Sequence, residues 1–255
     1  MNSNRFYQLL IALTQKEIKA RYKNALLGFL WIFINPIIQM LVIGFVFSLI
    51  FHFGIKRYYL FLFTGLLPWN FFSLSLNKAT QRIVWDRHLI QKASFPRSVI
   101  PLSVVLSHFV HFLISWGLLL IFLLFTRQWQ FFYPQTILFQ LWAILLLFFF
   151  TGSLSLITSC LNVFYRDVSF FTQAGILIWF YATPIVYPLS AIPVRFRPLF
   201  YLNPLSGVIS LLQQPVTELA LPSTVLLGQT GLVLLVAVLG FRLFVKKEKY
   251  FSDWV

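Results

Sequence analysis

Six stretches of the chain carry no charged residue over a length sufficient to cross a bilayer: 24–55, 58–77, 98–126, 128–165, 168–194 and 219–241. A helix needs about 20 mostly apolar residues to cross about 30 Å of hydrocarbon. The pattern therefore predicts an all-α integral membrane protein with six spans, at about 28–53, 58–77, 98–125, 137–163, 168–188 and 223–244. A seventh stretch, 198–217, is also long enough, but it holds Pro198, Pro204, Gly207, Gln213, Gln214 and Pro215. Such residues suit short re-entrant helices packed in protein better than a lipid-facing span, so 189–215 is predicted to fold back before the last span.

Ahead of the first span, Phe6, Leu9, Leu10 and Leu13 recur at helical spacing, followed by Lys16, Lys19 and Lys23. Residues 1–23 thus read as an amphipathic interface helix on the cytoplasmic leaflet, with a solvated basic tail as the plainer alternative. The six-span domain occupies 24–255.

Composition agrees with the pattern. The chain is 59% hydrophobic and only 10% charged, against about 25% charged in soluble domains, so most of its surface must face lipid. The net charge of +14 is read as basic cytoplasmic loops and not as a nucleic-acid surface. Six spans with both ends inside place 15 of the 20 Lys and Arg residues on the cytoplasmic side. A seventh span would put the Lys246–Lys249 cluster outside, against that bias. The start, "MNSNRFYQLL", lacks the pattern of a cleaved leader and is expected to be retained.

The chemistry that is missing narrows the function. The sequence contains no GxxxxGK[ST] phosphate loop. Its six acids, Glu17, Asp86, Asp167, Glu218, Glu248 and Asp253, avoid the predicted span centres. An ion-coupled transporter usually carries an ionisable group near mid-membrane, and a membrane enzyme would want carboxylates at its face. Neither is supplied. Uphill transport would then need energy from a partner chain, and a partner needs a docking surface.

That surface is sought in "IVWDRHLIQKASFPR", 83–97, within the largest internal cytoplasmic loop, 78–97. Trp85, Leu89 and Ala93 fall on one helical face, and Arg82 and Asp86 form an i,i+4 pair. Anchoring of helix ends accounts for some of the charges. The mixture of Trp85, Leu89, Ile90 and Phe95 with Asp86, Arg87 and Lys92 is what a protein interface uses.

The order of "RYKNALLGFLWIFINPIIQMLVIGFVFS" (21–48), "GLLPWNFFS" (65–73), "DRHLIQKASFPRSVIPLS" (86–103), "NVFYRDV" (162–168), "TPIVYP" (183–188) and "YLNPLSG" (201–207) resembles the membrane-spanning permease subunit of ABC-type polysaccharide exporters. The resemblance implies a homodimer above two separate ATPase subunits, which would bind the ATP and Mg; this chain would bind no cofactor and hold no catalytic site. It implies that Trp85, Asp86, Arg87, Leu89 and Lys92, together with Arg166 and Asp167, couple to those ATPases. It further implies a polyprenyl-pyrophosphate-linked glycan as substrate and a place in the bacterial inner membrane. Rival readings are a related exporter of drugs or other lipids, and a membrane enzyme acting on lipid-linked sugars.

Within the spans, Gly28, Trp31, Asn35 and Gln39 share one face of the first helix and suit either channel lining or helix packing. Trp31, Phe33, Trp179, Phe180 and Tyr181 are candidates to stack on sugar rings, among 31 Phe residues that mostly face lipid or pack. Arg21 and Lys23 at the cytoplasmic entrance, and Arg195 and Arg197 outside, are candidates for pyrophosphate or headgroup contact. His108, His111 and Ser115 lie on one face of the third span and read as a hydrogen-bonded packing set, because no acid or cysteine accompanies them. The stripe of Thr151, Ser155 and Ser159 likewise reads as close packing.

Overall fold

The computed structural model describes residues 3–22, 28–50, 54–55, 57–92, 95–217 and 221–254, and among these there is no strand. Helix α1 is Ser3–Tyr22. Among the described residues five helices are long and apolar enough to cross a membrane. They are α2 (Trp31–Ile50), α3 (Tyr58–Trp85), α5 (Val99–Phe125), α6 (Pro134–Phe164) and α10 (Ser223–Lys247). Between them lie the short α4 (Arg87–Lys92) and the apolar α7 (Val168–Tyr181). After α7 come α8 (Arg197–Tyr201) and α9 (Pro204–Thr217), and α11 (Phe251–Trp254) closes the chain.

Helix α3 is the central post. Phe61, Leu62, Leu66, Phe72 and Ile83 are fully buried along it, and it packs against α2, α5, α6, α7 and α9. Prolines mark several starts, where a missing N–H costs nothing. Pro134 opens α6, Pro101 sits in the first turn of α5, Pro204 opens α9, and Pro222 precedes α10. Gly240 lets α10 close on α6, because a Cβ there would stand 2.9 Å from the Ser153 carbonyl oxygen.

Two boundaries differ from the sequence reading. The second span does not stop at 77, since α3 runs on to Trp85 and turns only at Asp86, so the first part of the 78–97 loop is an extension of the span helix. The fifth span is helical only over 14 residues, about 21 Å. Residues 183–186 then continue as buried irregular backbone. Backbone polar groups at such depth must bond to protein, and these do. Tyr58 Oη donates to the Val186 carbonyl at 2.8 Å and Gln213 Nε2 to the Ile185 carbonyl at 3.2 Å.

Residues 189–217 fold as expected of a re-entrant segment, two 3-10 turns and two helices. Helix α9 is buried against α3, α6 and α10. Its amide Gln213 also bonds to the Phe61 carbonyl, and Gln229 of α10 donates to the Tyr201 carbonyl, each at 3.1 Å.

Candidate functional site

One end of the bundle is basic. It holds the C-terminal ends of α3, α6 and α10 and the N-terminal end of α5, with Lys78, Arg82, Arg87, Arg97, Arg166, Lys246 and Lys247. A hydrophobic cluster of Ile83, Ile90, Ile100, Leu156, Cys160, Val163, Phe244 and Phe251 lies just inside it. Ile90 fastens α4 to this cluster, while Arg87 on the same helix is exposed and Leu89 is half-buried. Trp85, 55% exposed, stands at the end of α3, and Lys92 closes α4. The second turn, with Tyr165, Arg166 and Asp167 all exposed, follows Val163 of the same cluster. The fold therefore stands both predicted elements on one apolar floor.

Asp86 behaves differently from its neighbours. It is buried, and its carboxylate accepts from Arg82 Nε at 2.8 Å, the predicted i,i+4 pair. Its role is to turn the chain between α3 and α4, not to offer a free charge. Two contacts without a sequence signal complete the platform. The Arg97 N–H donates to Glu248 Oε2 at 3.2 Å and its guanidinium to the Glu248 carbonyl. Phe164 packs on Phe251 and Trp254, so the C-terminal turn locks against the loop.

Helix α1 is docked on the bundle. Buried Glu17 pairs with Lys78 at 2.7 Å and with Arg82. One turn later Arg21 reaches α5, where Nη1 lies 3.0 Å from His111 Nδ1 and Nη2 meets His108 Nε2. A guanidinium only donates, so both ring nitrogens accept. That leaves His108 Nδ1 to donate to Ser75 Oγ at 3.2 Å. The histidine pair is thus a hydrogen-bonded packing set, with Arg21 as the partner that sequence could not supply. Lys23 lies outside the described residues.

These groups border a cavity of about 310 Å3 between α1, α2, α3 and α5. Trp31 and Asn35 line it as well, with Asn70, Phe71, Phe112 and Ser115. Gln39, one turn beyond Asn35 on α2, accepts from Asn70 Nδ2 at 2.8 Å, and Phe33 is half-buried. The other aromatic candidates lie elsewhere. Trp179 donates its indole N–H to Asn203 Oδ1 at 2.9 Å and packs edge-on against Phe72 and Phe150. Phe180 packs on Trp69 and Tyr181, and of the three only Tyr181 is exposed.

At the opposite end, Arg197 Nε donates to the Ile192 carbonyl at 3.1 Å and Nη2 to the Ser190 carbonyl at 3.3 Å. Arg195 is exposed and lies 4.5 Å over the Phe196 ring. Asn203 is the organiser that sequence reasoning missed. Its Oδ1 accepts from Trp179 and from the Leu205 N–H, and its Nδ2 donates to Thr183 Oγ1 at 2.9 Å and to the Ala182 carbonyl at 3.3 Å. An amide alone in an apolar stretch was the available signal, since such a group must be satisfied inside protein. Among the described residues no group of three or more His, Cys, Asp or Glu side chains is placed to hold a metal.

Long apolar helices, a basic end with two exposed elements and a largely apolar cavity edged by Arg21, two histidines and two amides are the features of a multi-pass membrane protein. The chain belongs to the ABC-2 type transporter family, whose pattern it matches over residues 8–216. It is similar to two O-antigen export system permease proteins RfbA of Klebsiella pneumoniae, 37% identical over 213 residues and 36% over 212, each covering 82% of this chain and 80% of the relative. A protein of the same name from Myxococcus xanthus is 36% identical over 220 residues, covering 84% of this chain and 82% of the relative.

Proposed function

We propose that this chain is the membrane-spanning subunit of an ATP-driven exporter that carries a polyprenyl-pyrophosphate-linked polysaccharide across the bacterial inner membrane. The observation that carries the reading is the identity of 36–37% to O-antigen export permeases over about four-fifths of both chains. Separate ATPase subunits bind ATP and Mg and drive the cycle. The basic end faces the cytoplasm, in keeping with the bias of Lys and Arg toward that side, and both termini lie there. Trp85, Arg87, Leu89 and Lys92 of the α3–α4 corner and Arg166 and Asp167 of the second turn receive the ATPases. The support is the exposure of Trp85, Arg87, Arg166 and Asp167 above a shared apolar floor, which passes a push on either element to α3, α5, α6 and α10 together.

Two copies form the working unit. Helix α2 buries only Pro36 and Gly44 and α7 buries nothing, yet Gln173 is exposed on α7. A polar side chain in a span belongs against protein or a water path, which favours a second copy beside these helices. The transport path between copies takes aromatic faces such as Trp31 and Tyr181, with Asn35 and Gln39 as polar lining. Arg195 meets phosphate groups on the outer side, while Arg197 shapes the re-entrant turn. Deleting the chain from its host tests the function. Surface polysaccharide is lost, lipid-linked polysaccharide collects inside, and the intact chain restores export. Normal surface polysaccharide in the deletion strain refutes it.

A further inference from the structure

The cavity between α1, α2, α3 and α5 has a chemistry of its own, and its interpretation rests on the export reading above. We propose that it binds the phosphate group of an amphiphile, with Arg21 as the charge and His108 and His111 as its seat. The first support is position. His108 bonds to Ser75, one turn along α3 from Lys78 of the basic end, so the cavity lies just inside that end, at the level of a lipid headgroup. A cation turned onto span helices there marks a functional position. The fold brings one there on a helix whose previous turn is fixed by Glu17 to Lys78 and Arg82.

The second support is orientation. Two imidazoles accept from two different guanidinium nitrogens, and His108 is itself held by Ser75, so the plane of the fork is set before any ligand arrives. A fixed planar fork matches phosphate oxygens better than a point charge does. The third is the rest of the wall. The described lining residues include the amides Asn35 and Asn70 but no carboxylate, and Trp31 and Phe112 stand beside them. A charged head therefore meets donors while a hydrocarbon tail meets aromatic surface. At about 310 Å3 the cavity admits a phosphate or diphosphate with the start of its chain.

The carrier diphosphate and a bilayer phospholipid share this chemistry, and one experiment separates them. Farnesyl diphosphate is titrated into the purified full-length protein in phosphatidylcholine nanodiscs, with farnesol as the control. Saturable binding of the diphosphate and not of the alcohol is expected. Arg21→Gln should weaken it about tenfold or more, the scale of a hydrogen-bonded charge. Asn35→Asp, at an exposed position, should weaken it by repulsion and decides the matter if the arginine variant fails to fold. Competition by phosphatidylglycerol assigns the site to headgroups, and its absence assigns it to the lipid carrier; either supports the site. Unchanged affinity in both variants, or no binding of either phosphate-bearing ligand to the native protein, overturns it. Export by the chain stands or falls separately, in the deletion strain.

Discussion

Replacing Glu17 with Gln should release α1 from the bundle while leaving the spans in place. Glu17 is 5% exposed and binds Lys78 and Arg82, whose side chains are 31% and 17% exposed. The isosteric amide keeps the shape and removes the charge that both cations face. A lost hydrogen bond to a buried charged group costs about 1.5–3 kcal/mol. The Lys78 share is smaller, because a third of that side chain meets solvent and surface pairs are worth little. Arg82 retains Asp86 at 2.8 Å, which softens its loss. Together the change is worth about 2–3 kcal/mol. If α1 opens as a unit, its amide protection should fall about 30- to 150-fold. Hydrogen exchange read by mass spectrometry on peptides from 5–20 measures this, with α6 peptides as internal reference. Asp86→Asn is the control, since it leaves both Glu17 pairs intact and should leave α1 protected. Unchanged protection in Glu17→Gln would falsify the docking role of this carboxylate.

Three further outcomes are expected. Trp85→Ala with Arg87→Ala should weaken co-purification of the ATPase and its stimulation; unchanged values in both remove the α3–α4 corner from coupling. Phe251→Ala empties a fully buried position and should cost about 3–5 kcal/mol locally, freeing α4 and the C-terminal turn and lowering coupled ATPase activity before the fold is lost; normal coupling and normal exchange in α4 count against the lock. Arg197→Lys should impair export by losing two carbonyl contacts of the re-entrant turn, whereas Arg195→Lys should impair it only if its fork meets phosphate, so full export by the Arg195 variant leaves that residue an anchor.

The run of uncharged windows was enough to set the all-α class, the long helices and the re-entrant segment before the last one, because a bilayer rewards length and apolarity that are visible residue by residue. The pairing of Arg82 with Asp86 was legible for a similar reason, since helical spacing is local. What decides the sites is not local. Glu17 finds Lys78 and Arg21 finds His108 across 61 and 87 positions of the chain, and no pattern of either segment names the other. His108 and His111 looked like packing from sequence and are packing, yet the same contacts fix a guanidinium at the edge of a cavity. Asp86, grouped with exposed neighbours by sequence, is turned inward because α3 runs on to Trp85 and breaks there. Trp179, one aromatic among many, is tied by Asn203 because the backbone after α7 unwinds inside protein and its polar groups must be met. Sequence determined which segments leave water, since that depends on each segment's own composition. Only the tertiary structure decided which scarce polar groups meet, because in an apolar bundle each must find a partner wherever the packing of the helices happens to place one.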